Sequence, residues 1–196
     1  MLRVFIISLL LVGCAPAPIT VQVAQPSAMP SFHVVKIEAA HTGGSGVVCW
    51  QSGGWTYVVT AFHILDAGIK ADGMGCEVVA TDMPNDLALL RFISLKAFPK
   101  LELAEATVGQ KMYLVGYPLT AFGRERFVMS GSISRVDSRV WFDSGISAGF
   151  SGGGIYDSYG RLLGIAQGCQ RINGETIETI CVGMPAKHVA NLLRGV

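Results

Sequence analysis

Charge is what this chain has least of. Only 15% of its 196 residues are Asp, Glu, Lys or Arg, and the net charge is +1 with a pI near 7.7. Beside 51% hydrophobic residues, this composition excludes a disordered chain, and the lack of a basic excess removes nucleic acid as a partner. No Cys-x-x-Cys pair occurs and no histidine adjoins a cysteine, so the cysteines do not form a zinc-binding pattern. Long apolar runs are missing too: Val4 to Val12 falls well short of the ~20 residues that span a bilayer. No repeat of fixed period runs through the sequence. Helical periodicity is confined to "PAKHVANLLRGV", with Val189, Leu192 and Leu193 on one face and Pro185 at its start.

What is present is β-structure. "SGVVCW", "WTYVVTAF", "CEVVATD", "LALLRFI", "KMYLVGY", "ERFVMSGSISRV", "RVWFDS", "GRLLGIAQ" and "ETICVGM" are strand-sized and rich in β-branched or aromatic residues. Between them stand turn signals at Ser52-Gly53-Gly54, Asp72-Gly73, Tyr159-Gly160 and Asn173-Gly174. Some nine strands and one terminal helix predict an all-β barrel or sandwich, and the length accommodates two six-stranded barrels.

The chain opens on a targeting pattern rather than on the fold. Arg3 and the apolar Val4–Val12 precede Leu11-Val12-Gly13-Cys14, which resembles the bacterial lipobox, where cleavage precedes a cysteine whose thiol receives a lipid. The resemblance implies a signal peptide over residues 1–13, a lipidated Cys14, and export to the periplasmic side of a bacterial membrane. Ala15 in place of Asp is the pattern that goes with the outer membrane in enterobacterial lipoproteins. Residues 14–31, rich in Pro, Ala, Ser and Gln, read as a flexible tether, leaving 32–196 as the folded domain.

One short segment carries chemistry. Ser151 stands in "GFSGGG", and a hydroxyl needs a base, usually histidine, oriented by a carboxylate before it becomes a nucleophile. Of the four histidines, His33 lies by the tether, His41 before the first clear strand and His188 on the helix. His63 follows "WTYVVTAF", so a strand delivers it to a rim. Asp86 sits at the entrance of an apolar strand; Asp82 is close by, and composition does not choose between them. The glycines free the N–H groups of Gly149 and Ser151 to converge on an oxyanion.

"GGSGVV", "VVTAFHIL", "TDMPNDLALL", "VGQKMYLVGYP", "VMSGSISRV", "GFSGGGIYDSYGRLLGI" and "VGMPAKHV" follow the order and spacing of chymotrypsin-fold serine proteases. The chain most resembles the protease domain of the HtrA (DegP-like) group, over roughly Thr42 to Ala190. The resemblance implies two perpendicular six-stranded β-barrels with the site between them, and a serine endopeptidase acting on peptides or proteins without cofactor or metal. It makes His63 the general base, Asp86 its orienting acid, Ser151 the nucleophile, and the backbone of Gly149 and Ser151 the oxyanion hole. It assigns the primary pocket to Gly145, Ile146, Ala166, Gln167, Gly168 and Val182. That apolar set implies cleavage after small or medium aliphatic residues, unless Asp143 turns its carboxylate inward. Two residues depart from the pattern: Phe150 stands where Asn or Asp is usual, and Gly154 where Pro is usual. No length follows Val196 for a PDZ domain.

Without Cys14, four cysteines remain, which allows three pairings in an exported chain. Cys169 and Cys181 flank the Asn173-Gly174 turn, so a bridge there is the local pairing, worth about 3 kcal/mol for such a loop. A strict two-residue turn would oppose Cys169 to Glu178, so a bulge or a longer loop must intervene. Cys49–Cys76 follows by elimination. Two other functions fit parts of the pattern. Gly149-Phe150-Ser151-Gly152-Gly153 also satisfies G-x-S-x-G, which would make an α/β-hydrolase esterase with Ser151, Asp157 and His188. A protease-fold binding protein without activity is the other.

Overall fold

The computed structural model describes residues 32–119, 124–172 and 175–195. Two β-units follow one another along the chain. The first holds β1 (Val34–Glu38), β2 (Gly43–Ser52), β3 (Trp55–Ala61), β4 (Lys70–Ala71), β5 (Met74–Gly75), β6 (Glu77–Asp82) and β7 (Leu87–Ile93). They pair antiparallel in the order β5-β4-β1-β2-β3-β7-β6. The second holds β8 (Lys111–Gly116), β9 (Phe127–Val136), β10 (Val140–Phe142), β11 (Gly154–Tyr156), β12 (Leu162–Ile172) and β13 (Glu175–Pro185). These close into a six-stranded barrel, β10-β13-β12-β11-β8-β9. The helix α1 (Ala186–Arg194) follows. The all-β architecture and the closed second barrel agree with the sequence. The first unit is instead a curled sheet of seven strands, because the Asp72-Gly73 turn adds the two-residue hairpin β4–β5.

Alternation along the strands divides the side chains among three apolar clusters. In the first unit Val35, Ile37, Val48, Val58, Leu90 and Phe92 face its interior. Their neighbours Val34, Val47, Cys49, Val59 and Leu89 face the other way. There they meet Val115, Tyr156, Leu162 and Ile165 of the second unit and Val189 and Leu192 of α1. Met112, Leu114, Ile133, Phe142, Phe150 and Leu163 fill the barrel. Strands covered on both faces need no polar alternation, which is why "VVC" and "LALL" run continuously apolar.

The turns follow their sequence. Gly53 and Gly54 both take positive φ and join Ser52 to its partner Trp55, the geometry of a two-residue hairpin loop. In β12–β13 the register shifts between Cys169 and Gln170, so that Cys169 faces Cys181, and the two are joined as a disulfide. The Asn173-Gly174 turn lies outside the described residues, as do the signal, Cys14 and the tether. Cys49 and Cys76 are free thiols rather than a bridge. Cys49 packs in the cluster between the units, whereas Cys76 packs against the interior of the first. Facing different clusters, they cannot meet. Burial pushes the Cys49 thiol up to about 12 and the Cys76 thiol up to about 11.

Candidate active site

Strand pairing brings His63 and Asp86 together. Ala61 is the last residue of β3 and pairs with Leu87, the first of β7, so the segments just beyond them lie side by side. His63 occupies a 3-10 turn over Phe62–Ile64. Its backbone N–H donates to Asp86 Oδ1 at 2.8 Å, and Nδ1 lies 2.8 Å from Asp86 Oδ2. Holding a neutral ring with Nδ1 as the donor leaves the lone pair on Nε2. Asp86 itself is in the left-handed region, φ 52° and ψ 47°, at the end of the 3-10 turn Met83–Asn85, a conformation aspartate tolerates. Its carbonyl accepts from Phe62 N–H at 3.1 Å, which locks the two turns together. Asp82 is used differently. Its carboxylate accepts from Asn85 Nδ2 at 2.7 Å and caps that turn.

Ser151 enters from the second unit. Its carbonyl accepts from Ser45 N–H at 2.8 Å. A side chain at Gly44 would strike both that carbonyl and Ile64, the residue after His63. The hydroxyl of Ser151 donates to the Gln167 carbonyl at 3.0 Å. Gln167 also reaches across the cleft with its side chain. Nε2 donates to the carbonyls of Asn85 at 2.8 Å and Asp86 at 3.5 Å, while Oε1 accepts from the Arg139 guanidinium. One residue thus touches the serine hydroxyl and the turn that carries the aspartate. Sequence reading misses this bridge and the part played by Ser45; the one signal for Ser45 is a small polar residue in a glycine-rich stretch ahead of an apolar strand.

The backbone before Ser151 is held from both sides. Ala148 C=O accepts from Leu119 N–H at 2.7 Å. Because a trans peptide is planar, the Gly149 N–H of the same peptide points the opposite way. Gly149 C=O accepts from the buried Ser45 hydroxyl at 2.8 Å, and Phe150 N–H donates to Ser147 C=O at 3.2 Å. Gly149 has φ 95°, and a Cβ there would lie 2.5 Å from Tyr117 O, so only glycine fits. Among the described residues, no backbone carbonyl takes up the N–H of Gly149 or of Ser151. Phe150, the departure from the usual polar residue, buries its ring in the barrel and anchors the loop by apolar packing.

Gly145 and Ile146 line a cavity of about 210 Å³ with Met129 and Ser147, none of them charged. The Asp143 carboxylate accepts from Ser132 N–H of β9 at 2.5 Å. Of the other residues assigned to the pocket, Ala166 packs inside the barrel and the Gln167 side chain is committed to Asn85 and Arg139. Gly168 and Val182 are paired opposite each other in β12–β13. The esterase arrangement is ruled out. The described residues form no strand–helix repeats, and the buried Asp157 carboxylate is taken up by Arg161 Nε at 2.7 Å and the N–H groups of Tyr159 and Arg161.

Residues 44–165 match the family described as "Trypsin-like peptidase domain". The chain is similar to the serine protease Do-like HtrA of Lactobacillus helveticus, 25% identical over 175 residues that cover 78% of this chain and 42% of that protein. It is similar to the periplasmic serine endoprotease DegP of Salmonella typhimurium strain LT2, 30% identical over 169 residues, covering 76% and 34%. Among solved structures it shares its fold with the serine endoprotease from Yersinia pestis, with TM-score 0.72 and 23% identity, covering 85% of this chain and 63% of that one. The chain spans about two fifths of the length of the curated relatives it matches, or less.

Proposed function

This chain belongs to the trypsin-like peptidase family, and on that footing we propose that it is a serine endopeptidase working through His63, Asp86 and Ser151. The observation that supports the reading is the two-point grip of Asp86 on His63, side chain and backbone, with Gln167 bonded both to the Ser151 hydroxyl and to the turn that carries Asp86. In the reaction Ser151 Oγ rotates from Gln167 C=O toward His63 Nε2, gives up its proton there, and attacks the substrate carbonyl carbon. The oxyanion is received by the N–H groups of Gly149 and Ser151. His63 then passes the proton to the leaving amine as the C–N bond breaks, and water resolves the acyl-enzyme by the same steps in reverse. Asp86 stays ionised and steadies the imidazolium.

Ile146, Met129 and the uncharged wall around them favour small or medium aliphatic side chains before the scissile bond, since a Lys or Arg would bury its cation unpaired. The Asp143 bond to Ser132 supports the same preference.

A fluorophosphonate probe tests the activity. It is expected to label the wild type and not Ser151→Ala, and a mixed peptide library is then expected to be cut after Val, Ala, Ile or Leu. An unlabelled wild type would favour the second reading, a protease-fold binding protein, for which the hydroxyl's bond to Gln167 rather than to His63 speaks. Preferred turnover of short esters over peptides would point away from an endopeptidase. The lipobox supports a lipid anchor on Cys14, and the periplasmic name of the Salmonella relative is in keeping with export. Metabolic labelling with a palmitate analogue is expected to mark the wild type and not Cys14→Ser. No label on the wild type would leave a plain secretory signal.

A further inference from the structure

Arg124 reaches from the second unit, beyond β8, onto the first. Nη1 donates to Ile37 C=O at 2.7 Å, and Nη2 donates to Gly44 C=O at 2.5 Å and Tyr117 C=O at 3.2 Å. Ile37 and Gly44 are direct partners in β1–β2, so the guanidinium caps one rung of that ladder. A Cβ at Gly43 would stand 2.7 Å from Nη1, so the glycine leaves room for the cation. The site is costly. Nε is buried and has no acceptor among the described residues, and the nearby Glu38 is already paired with Lys36 at 2.9 Å.

Two of the three carbonyls that Arg124 holds, those of Gly44 and Tyr117, lead on to the reacting centre. The Gly44–Ser45 peptide accepts from Arg124 at its carbonyl and donates from Ser45 N–H to Ser151 C=O at 2.8 Å. Tyr117, held by its carbonyl, donates its N–H to Ser45 Oγ at 2.8 Å, and Ser45 Oγ donates to Gly149 C=O at 2.8 Å. Two residues on, Leu119 N–H fixes Ala148 C=O and so the direction of Gly149 N–H. Through the Gly44–Ser45 peptide the bonds run in series and polarise one another, whereas the carbonyl and N–H of Tyr117 belong to different peptides and transmit position alone.

We infer that Arg124 is a positioning residue, which fixes the oxyanion-binding backbone of Gly149 and Ser151 by clamping the Gly44–Ser45 and Tyr117 peptides from a single guanidinium. The inference rests on the peptidase reading for its kinetic consequence but not for its geometric one. In Arg124→Gln and Arg124→Ala, kcat on a peptide substrate is expected to fall about 10- to 100-fold, less than the roughly 10²- to 10³-fold of losing an oxyanion donor outright, with KM little changed. Affinity for a peptide aldehyde, whose adduct carries the oxyanion, should fall in step with kcat. The pH midpoint of kcat/KM should stay in place, since His63 and Asp86 are untouched. Added guanidinium ion should restore part of the activity of Arg124→Ala. Arg124→Lys should not recover it, because a compact ammonium on a shorter stem lacks the planar fork that reaches Ile37, Gly44 and Tyr117 together. Independently of turnover, the Leu119 and Gly149 amide resonances should move and Leu119 exchange should quicken at least tenfold. Should Arg124→Ala fail to fold, Arg124→Gln and Arg124→Lys carry the same measurements. Unchanged amides overturn the proposal whether or not the wild type is active. Equal losses in KM and kcat that track a fall in melting temperature would overturn it as well. A wild type that no probe labels, but whose amides respond to Arg124, would count against the peptidase reading alone.

Discussion

Asp82 gives its carboxylate to the Asn85 side chain, whereas Asp86 gives both of its oxygens to His63. Replacing either by asparagine keeps the size and removes the charge, so the pair separates a cap from an orienting acid. In Asp86→Asn the amide can turn its NH2 toward Nδ1, which moves the ring proton to Nε2 and leaves no lone pair for Ser151. The expected fall in kcat is about 10⁴-fold with the fold intact. Asp82→Asn removes an accepted hydrogen bond from a three-residue turn and should cost about 1 kcal/mol of stability or less, with kcat close to wild type. Steady-state kinetics and thermal melts on the two variants check this. A harmless Asp86→Asn beside a crippling Asp82→Asn would reverse the assignment.

At the level of strands and turns, local pattern carries most of the fold. β3 and β7 are visible as apolar runs, the first ending just before His63 and the second starting just after Asp86, so the two residues are legible together. The Asp72-Gly73 turn is visible as well, but β4 and β5 are two residues each, too short to hold a period. What local pattern does not hold is the face toward which a doubly buried strand turns a given residue. Elimination pairs Cys49 with Cys76, yet one looks outward from the first unit and the other inward. Gln167 sits in "GIAQG" like any wall residue. Its amide goes to Asn85, 82 positions away in the chain, and only the docking of the two units reveals it. Phe150 reads as a defect in a polar position because its destination, the barrel interior, is again a tertiary fact.

For the molecule as a whole, two histidines tie stability to pH. Burial, then Lys96, lowers the pKa of His33 below its ordinary 6.5, with Arg126 lining the same cavity of about 420 Å³. Burial, then Lys187, lowers that of His188, against the opposing pull of Asp82. In the unfolded chain both take up protons near 6.5, while the folded state resists, so the unfolded state binds more protons and stability rises with pH across this window. The melting temperature is therefore expected to drop between about pH 7.5 and 5, and to drop less in His33→Gln and His188→Gln. Asp66 and Asp137, whose folded pKa values lie below the ordinary 3.8, lose their contribution only at more acid pH. An equal drop in wild type and variants would place the acid sensitivity elsewhere. The cluster between the units has a different consequence, one of timing. Val189 and Leu192 of α1 complete it, and α1 is synthesised after His63, Asp86, Ser151 and all thirteen described strands. Until the helix arrives, one side of that cluster lies open to water, so a nascent chain carries His63, Asp86 and Ser151 without the packing that α1 adds between the units. On the proposed peptidase reading, activity therefore waits on α1, and the helix sets the moment at which the site becomes competent.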